Sequence, residues 1–453
     1  MLDRMSIELG KIPAGFVDLR REIDSSLSIS LVNGEVQSLS DSETGAYFSR
    51  VIADGGLATH CFSLESDMKK ELLYTASLAS KSGKYKSEKV KFANAPVVED
   101  KVKISPVKHP HSISVEEKVQ LLEKYDKIVR KNDKIAQCDL SYLELNKRKW
   151  LVNSDGTKLF QDQLICFVTG LIVAKDGDRM EDVRVAVGGS EDFSNLENRE
   201  DVFEGKAKIA IDLLKSPAVP SGVSTILLDP LMTGLFVHES FGHFSEADLV
   251  VKNPALLQKL QIGIRLASEV FSVIDDGTRK GIPGYWEYDD EGVKSRATSL
   301  INNGILTGRM HNRETAAIMD EPLTGNAVAE SCRHNPLVRM SNIYVKPGEK
   351  TLDEIIDGVK DGVYVCGPKG GQTMGDLYSF GAQYGYMIKD GKLQEMVSGI
   401  NLSGNLFTTL KNIKEVGNDL SFREVGGCGK GGQLNVKSGL GGPHMLVDGV
   451  TVG

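Results

Sequence analysis

Twice in its first half the chain alternates polar and apolar residues and then breaks at a turn signal, a period of two that restricts those stretches to antiparallel sheet. Over 26–63 the breaks are Asn33-Gly34 and Asp54-Gly55-Gly56, which reads as a meander of strands. Over 137–188 they are Asn153-Ser154-Asp155-Gly156 and Lys175-Asp176-Gly177, hairpin turns joining strands such as 164–174. Helical spacing lies between them. Residues 65–80 carry Met68, Leu72, Leu73, Ala76 and Ala79 at that spacing, and 114–130 repeats the pattern, with Ser114 as N-cap and Glu117 three residues on as its reciprocal partner. Both helices are expected to cover one sheet face. Residues 201–215 also read as helix.

The run Ser216-Pro217-Ala218-Val219-Pro220-Ser221-Gly222 supports neither element, because it sets two prolines and a glycine within seven residues. It separates a domain at 1–215 from one at 223–453, with 216–222 as linker. A chain of 453 residues is too long for a single core to be expected. The second part opens with a strand at 224–228 and a helix from about Pro230, and 255–267 reads as an amphipathic helix. Beyond Lys360 lie 21 of the 47 glycines, which predicts short strands joined by tight turns. Strands and helices come in runs without strict alternation, so the expected class is α+β: N-terminal antiparallel sheets covered by helices, and a C-terminal glycine-rich mixed β domain carrying the motif helix.

A formal charge of -8 repels a phosphate backbone unless a local basic stripe outweighs it. The densest lysine segment, 81–108, is interleaved with Glu88, Glu99 and Asp100 and reads as a solvated connector, so no nucleic-acid partner is expected. The N-terminus lacks the apolar stretch of a secretory signal, and nowhere do about 18 apolar residues run together. A cytoplasmic protein without a membrane partner is expected. Six scattered cysteines without paired spacing fit reduced thiols.

The chemistry concentrates in His238-Glu239-Ser240-Phe241-Gly242-His243. Imidazole is a natural zinc ligand, and an adjacent carboxylate that is not a ligand can take the proton of an attacking water. At about 100° per residue, histidines five apart diverge by about 140°, so a regular helix aims them apart. Gly242 suggests a bulge or loosened final turn that rotates His243 back. Catalytic zinc takes a third protein ligand. Glu246, Asp248 and Cys428 are the candidates. Cys428 lies in Gly426-Gly427-Cys428-Gly429-Lys430-Gly431-Gly432, where small neighbours permit close approach and Lys430 favours a thiolate. The bland reading makes both histidines backbone-bonded helix residues, Glu239 a solvated carboxylate and Cys428 an inert thiol.

The stretch HESFGHFSEAD at 238–248 resembles the HExxxH signature of the TldD/PmbA family, and GGCGKGGQ at 426–433 is similar to its C-terminal motif. Further matches run in order through the second half: Ile274-Asp275-Asp276-Gly277-Thr278, Tyr288-Asp289-Asp290-Glu291-Gly292, Asn303-Gly304-Ile305-Leu306, Leu323-Thr324-Gly325-Asn326, Gly370-Gly371-Gln372, Val416-Gly417-Asn418-Asp419 and Val447-Asp448-Gly449. In the first half the resemblance rests on Arg50-Val51-Ile52-Ala53-Asp54-Gly55-Gly56. Leu57, Ser240 and Gly427 depart from commoner residues, none of them a ligand.

The resemblance implies Zn2+ on His238, His243 and Cys428, and a subunit of the metal-bearing kind acting on unfolded or leader-type peptides. It also implies a dimer chamber, formed with a second copy or with a metal-free paralogue. Glu239 is the expected general base, and the backbone at Gly370, Gly371 and Gln372 the expected edge on which substrate adds as a strand. Two other classes stay open at this point: a non-catalytic scaffold or modulator subunit of such a complex, and a zinc hydrolase of non-peptide substrates. The remaining histidines read as structural or surface, with His334, near Cys332, the one to watch.

Overall fold

In the computed structural model, which describes residues 1–453, tight hairpins build the first half. Asn33 and Gly34 adopt left-handed backbone, φ 51° and 83°, and join β1 (Phe16–Val32) to β2 (Glu35–Ala53). Asp54 and Gly55 do the same between β2 and β3 (Gly56–Phe62). With β4 (Glu99–Val102), β5 (Ile135–Asn153), β6 (Lys158–Asp176) and β7 (Arg179–Ser190) they form one seven-stranded sheet in the order β3-β2-β1-β5-β6-β4, β7 lying also against β6.

At about 3.3 Å per residue the longest strands span roughly 60 Å, enough to serve two cores. Val17 and Leu19 of β1 pack with Tyr47 and Val152 beneath α1 (Leu2–Leu9) and α2 (Met68–Gly83). Leu27, Ile29 and Leu31, of the same parity on that strand, pack with Leu140, Tyr142 and Val168 beneath α3 (Val115–Val129) and α4 (Glu200–Leu213). The helices therefore share a face at opposite ends of long ribbons. The capping box expected at Ser114 is present, its hydroxyl accepting from Glu117 N at 3.2 Å while the Glu117 carboxylate accepts from Ser114 N at 2.9 Å. The lysine-dense segment is a connector across the surface, interrupted only by the end of α2 and by β4.

The fold is α+β throughout. In the second half β8 (Gly222–Leu228) pairs with Asp361–Met374 and Met445–Val452, and these close through Asn401–Asn405 and Leu377–Lys389 into a five-stranded barrel. A six-stranded sheet stands beside it, with Val273–Asp276 and Asn342–Val345 at its centre and Gly439–Gly442 next to the latter. The short helix α5 (Pro230–Phe236) lies between the two, touching strands of both, and its residues join a core cluster of 40 side chains.

Two expectations need correction. The helix read at 255–267 is only Pro254–Lys259: Leu260 already leaves helical backbone (φ -113°, ψ 49°), and Gly263 (φ 94°) then sits in left-handed backbone that a helix cannot use. The glycine-rich tail includes a long hairpin, Asp361–Met374 with Leu377–Lys389, besides the short strands expected. One reason is cross-strand packing: a Cβ on Gly371 would lie 2.2 Å from the Phe380 ring of the neighbouring strand, so glycine there serves packing and not a turn.

The two halves meet in a buried ionic seam. The Arg50 guanidinium pairs with Asp18 on its own sheet and with Glu291 of the second half at 2.6 Å. Lys149 reaches Asp290 at 2.9 Å, and Arg20 donates to the carbonyls of Ser331 and His334, both at 2.9 Å. No helix is long and apolar enough to cross a membrane. All six cysteines are free.

Candidate metal centre

Asp229 starts the motif segment. Its carboxylate accepts from Met232 N at 2.6 Å and from Gly367 N at 2.8 Å, capping α5 and fastening it to the barrel, while Pro230 occupies the first turn where an N–H is not needed. The helix then changes pitch. Val237–Phe241 form a wide π-type turn and Gly242–Ser245 a tight 3-10 turn, which bring the rings of His238 and His243 to a centroid separation of 5.5 Å. The distortion was expected at Gly242, but the wide turn precedes it. Gly242 itself has ordinary helical angles, φ -54° and ψ -48°. Glycine there serves packing, because a Cβ would stand 2.2 Å from the Met340 sulfur and force that side chain to shift.

Cys428 arrives from the hairpin Cys428–Lys430 with Gln433–Val436. Arg339, fully buried, donates to the carbonyls of Cys428 and Lys430 and fixes that hairpin's backbone. Arg339 is held in turn: its carbonyl accepts from Asn326 Nδ2 at 2.9 Å, and the same amide donates to Asp275 at 2.8 Å. These connections explain Ile274-Asp275-Asp276 and Gly325-Asn326 as supports. Arg339 carried no signal in the sequence.

One donor atom each from His238, His243 and Cys428 lie within 4.8 Å of one another. The Cys428 sulfur is 3.5 Å from His243 Nε2, which matches the edge of roughly 3.5 Å implied by tetrahedral zinc with Zn–S of about 2.3 Å and Zn–N of about 2.0 Å. His238 is 2% exposed and its Nδ1 has no hydrogen-bond partner in the protein, a costly arrangement for a buried polar atom unless a ligand completes it. Burial, aided by the charge of His243, pushes His238 down to about 3, so its ring is the neutral form a metal needs. Burial also disfavours a charged His243, but its hydrogen bonds to Cys428 and Glu246 outweigh that and hold it up to about 10. A cation held by these residues would take the place of that proton. The donor set fits zinc.

Glu246 and Asp248 are not in this set. Glu246, wholly buried, accepts from His243 Nδ1 at 2.9 Å and leaves Nε2 facing Cys428. Lys430 lies 3.2 Å from the same carboxylate and 2.6 Å from Asp248, and donates to the Val338 carbonyl at 2.8 Å. Lys430 thus joins the two motif segments beside the ligands. His334 hydrogen-bonds Ser331 at 2.9 Å and has no part in the centre.

Glu239 is half-buried, and burial raises its carboxyl pKa although His243 opposes the rise. It lines a cavity of about 430 Å³ together with His243, Gly371, Gln372 and Thr373. Thr373 Oγ1 donates to the Glu239 carbonyl at 2.8 Å and ties this residue to the strand. That strand pairs with β8 only at Val363–Val365; from Gly370 to Met374 it pairs only with the strand at Leu377–Lys389. Gly371 and Gln372 thus face the cavity, whereas Gly370 is outside its lining.

The profile of the PmbA/TldA metallopeptidase C-terminal domain matches residues 221–453, that of the central domain 108–216, and that of domain 1 17–82. The chain is 34% identical to a metalloprotease of Synechocystis over 97% of its own length and 95% of that protein's. It is 33% identical to a metalloprotease of Methanothermobacter thermautotrophicus, covering 97% and 95%. It is also 31% identical to a zinc metalloprotease TldD homolog of Saccharolobus solfataricus over 82% of each chain. A Thermotoga maritima protein named for modulation of a DNA gyrase has the same fold, with TM-score 0.80, 22% identity and coverage of 100% and 99%. TldE of Thermococcus kodakarensis superposes with TM-score 0.77 at 18% identity, over 100% and 98%.

Proposed function

Because the chain belongs to the PmbA/TldD family and is a metallopeptidase, we propose that it hydrolyses peptide bonds of unfolded or leader-type peptides at a zinc ion held by His238, His243 and Cys428. The observation carrying this reading is the convergence of three donor atoms, from segments 185 residues apart, beside a carboxylate that opens on the same cavity. The relatives' metalloprotease names favour an enzyme over a scaffold.

Zinc bound there would acidify a water toward a pKa of about 7 and draw charge from the substrate carbonyl oxygen. Glu239 takes the proton of the attacking water and returns it to the leaving amine, a shuttle that its raised pKa favours. Glu246 keeps His243 in one tautomer, with Nε2 toward the ion. The backbone of Gly370, Gly371 and Gln372 holds an extended substrate by main-chain bonds, which are indifferent to most side chains. A strand edge with one partner supports that assignment.

We assign the working form as a dimer enclosing a chamber, with a second copy or a metal-free paralogue as partner. The TldE fold, matched over the full chain, supports a paralogue of the same shape. Six unpaired cysteines support the cytoplasm. Metal analysis of the purified protein tests the centre: about one zinc per chain is expected, lost on Cys428→Ser. Glu239→Gln should keep its zinc and lose peptide cleavage by roughly 10²-fold or more. Undiminished cleavage by that variant would remove Glu239 from the mechanism.

A further inference from the structure

The cavity beside Glu239 has a second wall that the hydrolytic reading leaves unused. Phe244, Leu249, Val250 and Leu256 line it opposite Gly371–Thr373, and Glu239 and His243 are the only titratable groups on its surface. Leu249 is 42% exposed, a large apolar side chain open to solvent next to the general base. The two walls are fastened together. Lys259, at the end of the helix carrying Leu256, pairs with Asp376 in the turn of the opposite hairpin, and its ammonium lies 4.0 Å from the centroid of the Phe407 ring. Phe407 also packs at a tilt against Phe244, with centroids 6.1 Å apart and ring planes 54° from parallel.

We propose that Phe244, Leu249 and Leu256 form an apolar subsite that receives an aliphatic or aromatic side chain of the residue adjoining the scissile bond. The inference rests on the peptidase reading above and deepens it. Strand addition along Gly371–Thr373 sends alternate substrate side chains to opposite faces, so one side chain near the cleaved bond must turn toward this wall. A charged side chain placed there loses its water: an acidic one faces the Glu239 carboxylate, and a basic one finds a counter-charge only in Glu239, the group that must stay free to take a proton. An apolar side chain covers Leu249 and releases the water over it. The enzyme is thus tolerant along most of the strand and selective at one position.

The test uses the full-length, zinc-loaded protein and a set of extended peptides that differ at one residue, with cut sites mapped by mass spectrometry. Leu, Met or Phe at one of the two positions flanking the cut should give kcat/KM about tenfold to hundredfold above Asp or Lys there. Leu249→Ala should flatten that ratio, and Leu249→Lys should favour Asp or Glu at the same position. Binding to Glu239→Gln, read by fluorescence anisotropy of labelled peptides, separates recognition from chemistry and should show the same order of Kd. Cleavage indifferent to both flanking residues, or a ratio unchanged in Leu249→Lys, overturns the subsite and leaves the peptidase standing. No cleavage of any peptide by zinc-loaded protein overturns both.

Discussion

Glu246, itself closed to solvent, bears two duties with one oxygen, accepting from His243 Nδ1 at 2.9 Å and lying 3.2 Å from the Lys430 ammonium. Removing it frees the His243 ring to turn and leaves Lys430 with Asp248 alone among carboxylates. Glu246→Ala should therefore weaken zinc binding by about 10- to 100-fold, with Glu246→Gln falling less because its amide oxygen still accepts from Nδ1. Competition against a chromophoric chelator measures this, and an affinity equal to wild type would show that the ring is oriented by packing alone. The sequence exposed His238, Glu239, His243 and Cys428 because few residue types can do this chemistry and they stand in short, unusual runs. It left Glu246 open as a ligand, since spacing does not say which nitrogen of a ring a carboxylate meets. Arg339 was silent for a related reason: an arginine whose work is to hold a distant carbonyl looks like any other.

Among the elements, legibility followed the turns. Asn33-Gly34 and Asp54-Gly55 announced their hairpins because left-handed backbone selects those residues, and Ser114 with Glu117 announced α3 for an equally local reason. The long barrel hairpin was hidden because glycines such as Gly371 answer to a neighbour's ring and not to their own backbone. Gly242 is the same case at the site. Gly242→Ala should cost about 1–3 kcal/mol through overpacking against Met340, since the helical angles themselves suit alanine. Adding Met340→Ala should return a large part of that loss, because it removes the atom that the new methyl would strike. Urea unfolding of the two single variants and the double variant closes the cycle. Strictly additive losses would place the strain in the turn, as the sequence alone suggested, and not in the contact.

For the molecule as a whole, the run 216–222, which the sequence suggests as a linker, does not explain how the halves hold each other. That task falls to the seam, whose partners lie up to 314 residues apart and so leave no pattern in any window of sequence. Asp290 sits at its centre, 5% exposed, accepting from Lys149 at 2.9 Å and from Ala329 N at 2.8 Å with Arg20 beside it. Burial alone would raise its pKa, yet Lys149 and Arg20 outweigh that and bring it down to about 2. A carboxyl depressed in the fold lends stability that is present above its unfolded value near 4 and is lost as pH falls from there toward 2. Asp290→Asn should therefore unfold at lower urea than wild type at pH 7, and the gap should narrow as pH falls from about 4 toward 2. In the variant Lys149 and Arg20 lack that charge at every pH, so its own curve should be flatter over this window. A gap that held constant or widened on acidification would mean that packing, and not charge, joins the N-terminal sheet to the half that carries His238, His243 and Cys428.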